Sequence, residues 1–160
     1  MLNFRYEALS YVWGSEIPTR EIHINGKTKL VRENLWLALR HLRLSDKTRV
    51  LWVDAICINQ ESIEERNHQV RRMGEIYGRA STVLIWLGPK GGFSDLAFSF
   101  IKRMEMDARR ETEGGSITSF SDKWVVSGGL CIFWSALKNL CLREYWERLW
   151  IIQEIGLARN

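Results

Sequence analysis

Residues 48–59 read TRVLWVDAICIN, and from Val50 to Ile58 the run is apolar except for Asp54. An apolar stretch of this length between polar segments suits a strand covered on both faces, as strands of a parallel sheet are. Such a strand needs helices above and below it, and the chain places them at the right intervals. YEALSYVWG, residues 6–14, reads as a first strand running into a loop at Gly14. QESIEERNHQVRRMGEIYGRA reads as a loop and then an amphipathic helix, with Val70, Met73, Ile76 and Tyr77 on one side and Ser62 and Glu65 spaced as a capping box. STVLIWLGP, residues 81–89, reads as a third buried strand stopped at Gly88-Pro89. Strand and helix in this alternation predict an α/β fold with a parallel sheet and right-handed crossovers.

Two segments interrupt the alternation. Between the first strand and the first helix, Asn25-Gly26 joins two short alternating runs in REIHINGKTKLV, a strong hairpin signal. RENLWLALRHLRLSD follows, with Leu35, Leu39 and Leu42 at helical spacing and Glu33 or Asn34 near its start. After the third strand, GFSDLAFSFIKRMEMDARRE is expected to be helical, TEGGSITSFSDKWVVSGG a loop, and residues 130–158 one or two further helices. A chain of 160 residues that is 46% hydrophobic is long enough for one substantial core and too short to expect two, so residues 1–160 are expected to form a single domain.

Composition narrows the function classes. No window approaches the roughly 20 apolar residues of a membrane span, and Arg5 and Glu7 stand where a signal peptide needs its apolar core, so a cytoplasmic protein is expected. The three cysteines, Cys57, Cys131 and Cys141, lie in no metal-ligand spacing and suit reduced, buried thiols. A net charge of +4 is compatible with nucleic acid, but the basic residues are interleaved with acidic ones and form no stripe, so no nucleic-acid partner is expected. Phosphate loops, dinucleotide fingerprints, nucleophile elbows and paired-histidine metal motifs are absent from the sequence, and no metal site is expected. Most of the eight tryptophans are expected in the core, with one or two left for a ligand-stacking surface.

Acidic and aromatic groups at strand ends are then the candidates, because ligands of open α/β sheets bind beyond the carboxyl ends of the strands. Ser10, Tyr11, Trp13 and Gly14 close the first strand; Asp54 and Asn59 close or follow the second. Asp54 within an apolar run requires a partner, and anchoring a neighbouring loop would satisfy it as well as a ligand would. Trp13 suits either the core or a stacking platform. The chain's last stretch, RLWIIQEIGLARN, puts Trp150, Glu154 and Leu157 on one side of a helix, so Glu154 falls on an apolar face. A carboxylate there is either an ion-pair partner, with Arg148, Arg143 or a residue elsewhere as candidates, or a group kept for chemistry.

Three of these stretches carry a family resemblance. YEALSYVWG, LWVDAICINQESIEERNHQVRRMGEIYGRASTVLIWLG and RLWIIQE closely resemble, in that order, the three blocks of the fungal heterokaryon-incompatibility (HET) domain. HET domains resemble TIR domains, which implies a TIR-like (flavodoxin-like) parallel sheet flanked by helices, with an inserted hairpin and a helical insertion after the third main strand. It also implies the N-terminal part of a longer protein that self-associates and signals cell death in non-self recognition, with other death-signalling or receptor domains as partners. TIR enzymes that cleave NAD carry a glutamate four residues after a tryptophan at a helix start, the spacing of Trp150 and Glu154 here. The resemblance departs at Ile151, where that motif usually has cysteine, and in the long span between the third strand and Trp150.

What the resemblance implies is chemically coherent. Breaking the nicotinamide-ribose bond passes through an oxocarbenium-like state, which one carboxylate stabilises, and nicotinamide leaves as a neutral molecule without a general acid. NAD is then a substrate and no resident cofactor is needed. Glu154 is the expected catalytic acid, Trp13 would stack on the nicotinamide ring, Ser10 would bond ribose, and Arg5, Arg66 or Arg148 would meet the pyrophosphate. Tyr11, Gly14, Asp54, Asn59 and Trp150 complete the expected binding set. The alternative is a non-catalytic death-signalling adaptor that works by homotypic assembly, with Glu154 structural.

Overall fold

In the computed structural model, which describes residues 5–112 and 129–157, three parallel strands carry the fold. β1 (Glu7–Tyr11) lies in the middle, β4 (Leu51–Trp52) on one side and β5 (Thr82–Trp86) on the other, with Glu7 opposite both Leu51 and Thr82 and Tyr11 opposite Trp86. The first main strand thus stands between the second and the third. Burial follows from position: Ala8, Leu9, Ser10 and Tyr11 of the central strand are all buried, whereas β5 is only partly so.

Strand alternation assigns these side chains to two helical layers. Leu9 and Tyr11 pack with Val31, Val53, Leu35 and Ala38, the last two from α1 (Glu33–Leu42). Ala8 packs with Met73, Tyr77 and Ala80 at α3 (Ile63–Arg79), and the Tyr77 hydroxyl donates to the Leu9 carbonyl at 3.0 Å. The expected hairpin is present as β2 (Arg20–Ile24) and β3 (Lys27–Val31), antiparallel, with Asn25 and Gly26 at φ of 50° and 76° as a type I′ turn requires. Asn34 ties the loop after β1 to the end of β5, donating to the Val12 carbonyl at 2.6 Å and accepting from the Trp86 indole at 2.8 Å. Ser62 caps α3 through the Glu65 amide at 3.2 Å, but the Glu65 carboxylate accepts from the Asn59 amide, so the capping box closes on an earlier loop residue than expected.

Three expectations are corrected. The strand read over residues 48–59 ends at Trp52; after Val53 the chain turns into one helical turn, α2 (Asp54–Cys57). A continuous apolar run cannot distinguish a strand from a buried helical turn, and Asp54 is the breakpoint because its side chain accepts from the following amide, Ala55, at 2.7 Å. The cysteines are free, as expected, but exposed rather than buried. None of the described tryptophans is fully buried; Trp13, Trp36, Trp52 and Trp86 pack partly, while Trp134, Trp146 and Trp150 are exposed. Indoles are too large and too polar at one edge to be engulfed by a sheet this small.

The chain divides into two compact units, one of residues 1–89 with 147–160 and one of residues 90–146. The second is the expected helical insertion. It contains α4 (Ser94–Thr112) and α5 (Gly129–Cys141), where Phe100 stacks on Phe133 at 5.4 Å and meets Trp134 edge-on at 5.8 Å, and where Arg143 donates to the Ser94 hydroxyl at 2.8 Å. Residues 113–128 of the expected loop lie outside the described residues. A 3-10 turn at Glu144–Glu147 leads to α6 (Ile151–Gly156), which belongs to the first unit. No helix of the described residues is long and apolar enough to cross a membrane.

Candidate functional site

Glu154 is 1% exposed, and the alternation of β1 explains where it sits. Ser10 faces the same side of the sheet as Ala8, the side covered by α3, and α6 packs on α3; the Ser10 hydroxyl therefore donates to Glu154 Oε2. Arg148, just before α6, clamps the carboxylate from the other side, with Nη2 at 3.0 Å from Oε1 and Nη1 at 3.2 Å from Oε2. This fork is the geometry in which a guanidinium and a carboxylate bind most strongly. Of the two arginines that the sequence offers as ion-pair partners, Arg148 is the one in place. Trp150 and Leu157, expected beside Glu154 on an apolar face, are each about half exposed at 47% and 49%, so within α6 only Glu154 is fully buried, with Ile151 and Ile155 partly so.

A second acidic centre lies at the start of α2. Asp54 Oδ2 accepts from the Trp13 indole at 2.7 Å, Oδ1 accepts from the Ala55 amide, and the Tyr11 hydroxyl also bonds the carboxylate. Burial pushes the Asp54 carboxyl above its usual range, against the pull of those donors and of the Arg148 charge. Burial, and then the charge and hydrogen bond of Asp54, push the Tyr11 phenol well above its ordinary value. The Gln60 amide donates to the Asp54 carbonyl at 2.9 Å and holds the following loop. Trp13 is thus fixed on its edge by Asp54, while Arg32 sits over its face at 4.8 Å from the ring centroid.

Both centres open on one cavity of about 330 Å³ beyond the carboxyl ends of β1 and β4. Trp13, Asp54, Trp150 and Glu154 line it, all four expected from the sequence, together with Arg66 and Arg148. Its apolar wall is Ile58, Val70 and Met73, so the exposed edge of α3 contributes as much as the strand ends do. Ser10 reaches the cavity through Glu154. Tyr11 and Asn59 line a neighbouring cavity instead, and the Asn59 side chain accepts from the Glu61 amide at 3.1 Å. Gly14 lines neither; at φ 71° it turns the loop, and its carbonyl accepts from Arg32 at 3.1 Å. Arg32 and Lys29 were not singled out by sequence reasoning. The available signal was position alone, since a hairpin inserted right after β1 must return its last strand beside the β1 loop.

Two carboxylates, two tryptophans and two guanidinium groups around a half-open cavity suit a small polar ligand with a flat ring and an anionic group. Among the described residues no group of three or more His, Cys, Asp or Glu side chains has the arrangement of a metal site.

Residues 6–154 match the sequence family described as Heterokaryon incompatibility protein (HET). Heterokaryon incompatibility protein 6, OR allele, of Neurospora crassa is 42% identical over 97 residues, which cover 52% of this chain and 14% of that protein. The chain therefore spans about one-seventh of that relative's length. No solved structure matches the chain.

Proposed function

The chain belongs to the heterokaryon incompatibility (HET) family, and on that premise we propose that it is a TIR-like death-signalling domain of fungal non-self recognition that cleaves NAD at the nicotinamide-ribose bond when it self-associates in the cytoplasm. The observation that carries the reading is Glu154, a buried carboxylate in the wall of a cavity beyond the strand ends, flanked by Trp150 and Trp13. The fork from Arg148 and the hydroxyl of Ser10 orient that carboxylate. For catalysis the ribose hydroxyls replace one arm of the Arg148 fork, and the freed oxygen faces C1′. As the bond breaks, its electron pair neutralises the pyridinium nitrogen; water adds to the oxocarbenium carbon and gives up a proton to the surrounding solvent. The products are nicotinamide and ADP-ribose. Arg66 supplies positive charge on the exposed side of the cavity. Further domains of death-signalling or receptor type are the partners that bring copies together.

A specific observation favours a second reading, the non-catalytic adaptor. Arg148 and Ser10 satisfy both Glu154 oxygens within the fold, as they would those of a carboxylate whose role is structural. Stability alone does not separate the two, because Glu154→Gln leaves Arg148 with half a partner under either reading and costs about 1–3 kcal/mol. Turnover does. Clustered on a surface, the wild type releases nicotinamide, Glu154→Gln does not, and Glu154→Gln combined with Arg148→Met regains stability without regaining activity. Release by either folded variant removes Glu154 from the chemistry. No release by a clustered wild type leaves the adaptor.

A further inference from the structure

The cavity beside Glu154 is at the small end of the roughly 300–1,000 Å³ of ligand sites, tight for a whole dinucleotide. A second cavity of about 510 Å³ adjoins it, with Trp13, Ile58 and Gln60 lining both. It lies between the hairpin and the loop after α2, and the proposed function above makes no use of it. Its walls are mixed, as a nucleoside requires: Tyr11 and Leu35 are apolar surface, while Glu16 and Glu61 offer acceptors for sugar hydroxyls.

Two cations stand on this cavity. Arg32 lies over the face of Trp13, the residue that divides the cavities, and is held there by the Gly14 carbonyl. Lys29 reaches across from β3 to the Ala55 carbonyl at 2.9 Å. Among the described residues neither forms an ion pair; each donates to a neutral carbonyl, and Arg32 also lies over a ring face. A guanidinium and an ammonium so placed are complementary to a bridging diphosphate.

We propose that the second cavity is the subsite for the nucleoside diphosphate half of a dinucleotide whose nicotinamide end occupies the first, with Arg32 at the partition and Lys29 beyond it contacting the two phosphates. The assignment rests on the NAD reading for the choice of dinucleotide, but the second cavity is testable without turnover. The inserted hairpin then acquires a role in binding, because it supplies the wall and the cations that a three-stranded sheet alone lacks.

The experiment is ADP binding to the full chain by calorimetry, with thermal melts as the folding control. ADP binds the wild type; Arg32→Gln and Lys29→Gln each weaken it about tenfold, the loss of one charged contact. Leu30→Trp, a substitution at an exposed position on the cavity wall, blocks it by filling space. Glu154→Gln leaves ADP affinity unchanged. Should Arg32→Gln fail to fold, Lys29→Gln and Leu30→Trp carry the same test from the hairpin surface. Absence of ADP binding, or binding indifferent to all three substitutions, overturns the proposal whether or not NAD is cleaved. ADP binding with this dependence and no NAD cleavage overturns the nucleosidase reading and leaves the subsite standing. Where NAD is cleaved, Arg32→Gln raises KM for NAD about tenfold and leaves KM for nicotinamide riboside, which lacks both phosphates, unchanged.

Discussion

Asp54 shows how one side chain serves the fold and the site together. Three donors converge on its carboxylate, yet burial prevails and its native pKa lies above the ordinary 3.8. The folded state therefore holds the proton more tightly than the unfolded state does. Its contribution to stability is complete below pH 3.8, falls as pH rises through the raised native value, and is constant above it. Urea unfolding of the wild type and Asp54→Asn across that range is expected to show the wild type's advantage shrinking as pH rises. A growing advantage would mean that the Trp13, Ala55 and Tyr11 donors outweigh desolvation. That Asp54 needed partners was legible from a charge in an apolar run; which partners was not, because Trp13 and Tyr11 come from β1 and the loop that follows it. The partner of Glu154 was legible only as Arg148, Arg143 or a residue elsewhere, since Arg148 precedes α6 and no helical spacing selects it.

At the scale of elements, α6 has six residues, too few to persist alone, so its position is set by α3. Gly74 and Gly78, one turn apart, leave α3 bare where the chain after α6 crosses: a Cβ at Gly74 would stand 3.0 Å from the Leu157 Cδ1, and one at Gly78 3.7 Å from the Leu157 carbonyl oxygen. Gly74→Ala meets only the end of a flexible side chain, and the roughly 1 kcal/mol gained in helix propensity offsets the shift. Gly74→Leu cannot be accommodated so cheaply. It is expected to lift α6, separate Glu154 from Ser10 and abolish ligand binding in the first cavity while far-UV circular dichroism stays unchanged. Retained binding would show that α3 does not set the height of α6. Elements with local signals were legible for physical reasons: the hairpin through Asn25-Gly26, α1 and α3 through their apolar stripes. β4 was overread because its apolar run continues unbroken into α2, whose turn is fixed by an Asp54 hydrogen bond rather than by any periodicity.

On the scale of the whole molecule, the site joins the two ends of the chain: Ser10 and Glu154 are 144 residues apart in sequence, with a helical insertion between them. The parallel sheet and its helical layers were legible as an α/β pattern, but a contact of that range leaves no periodic trace. The buried side chains of the sheet layers, Leu9, Tyr11 and Leu35 on one face and Ala8, Met73 and Tyr77 on the other, all precede residue 147. The closing segment adds one fully buried side chain, Glu154, while Leu149 and Ile152 remain largely exposed and Trp150 half-exposed. A chain ending at Trp146 is therefore expected to fold, because it loses the Ser10 and Arg148 contacts, about 1–3 kcal/mol, and little apolar burial. At about 2–4 °C for each kcal/mol, the melting temperature should fall by several degrees with the circular dichroism of the sheet and helices retained. NAD cleavage should vanish, since the carboxylate is gone, whereas ADP should still bind, since Lys29, Arg32 and the second cavity lie wholly within residues 11–61. Collapse of the truncated chain would instead make α6 the element that locks the sheet layers together, and Glu154 would then be the fold's closing contact rather than a group the fold carries for its site.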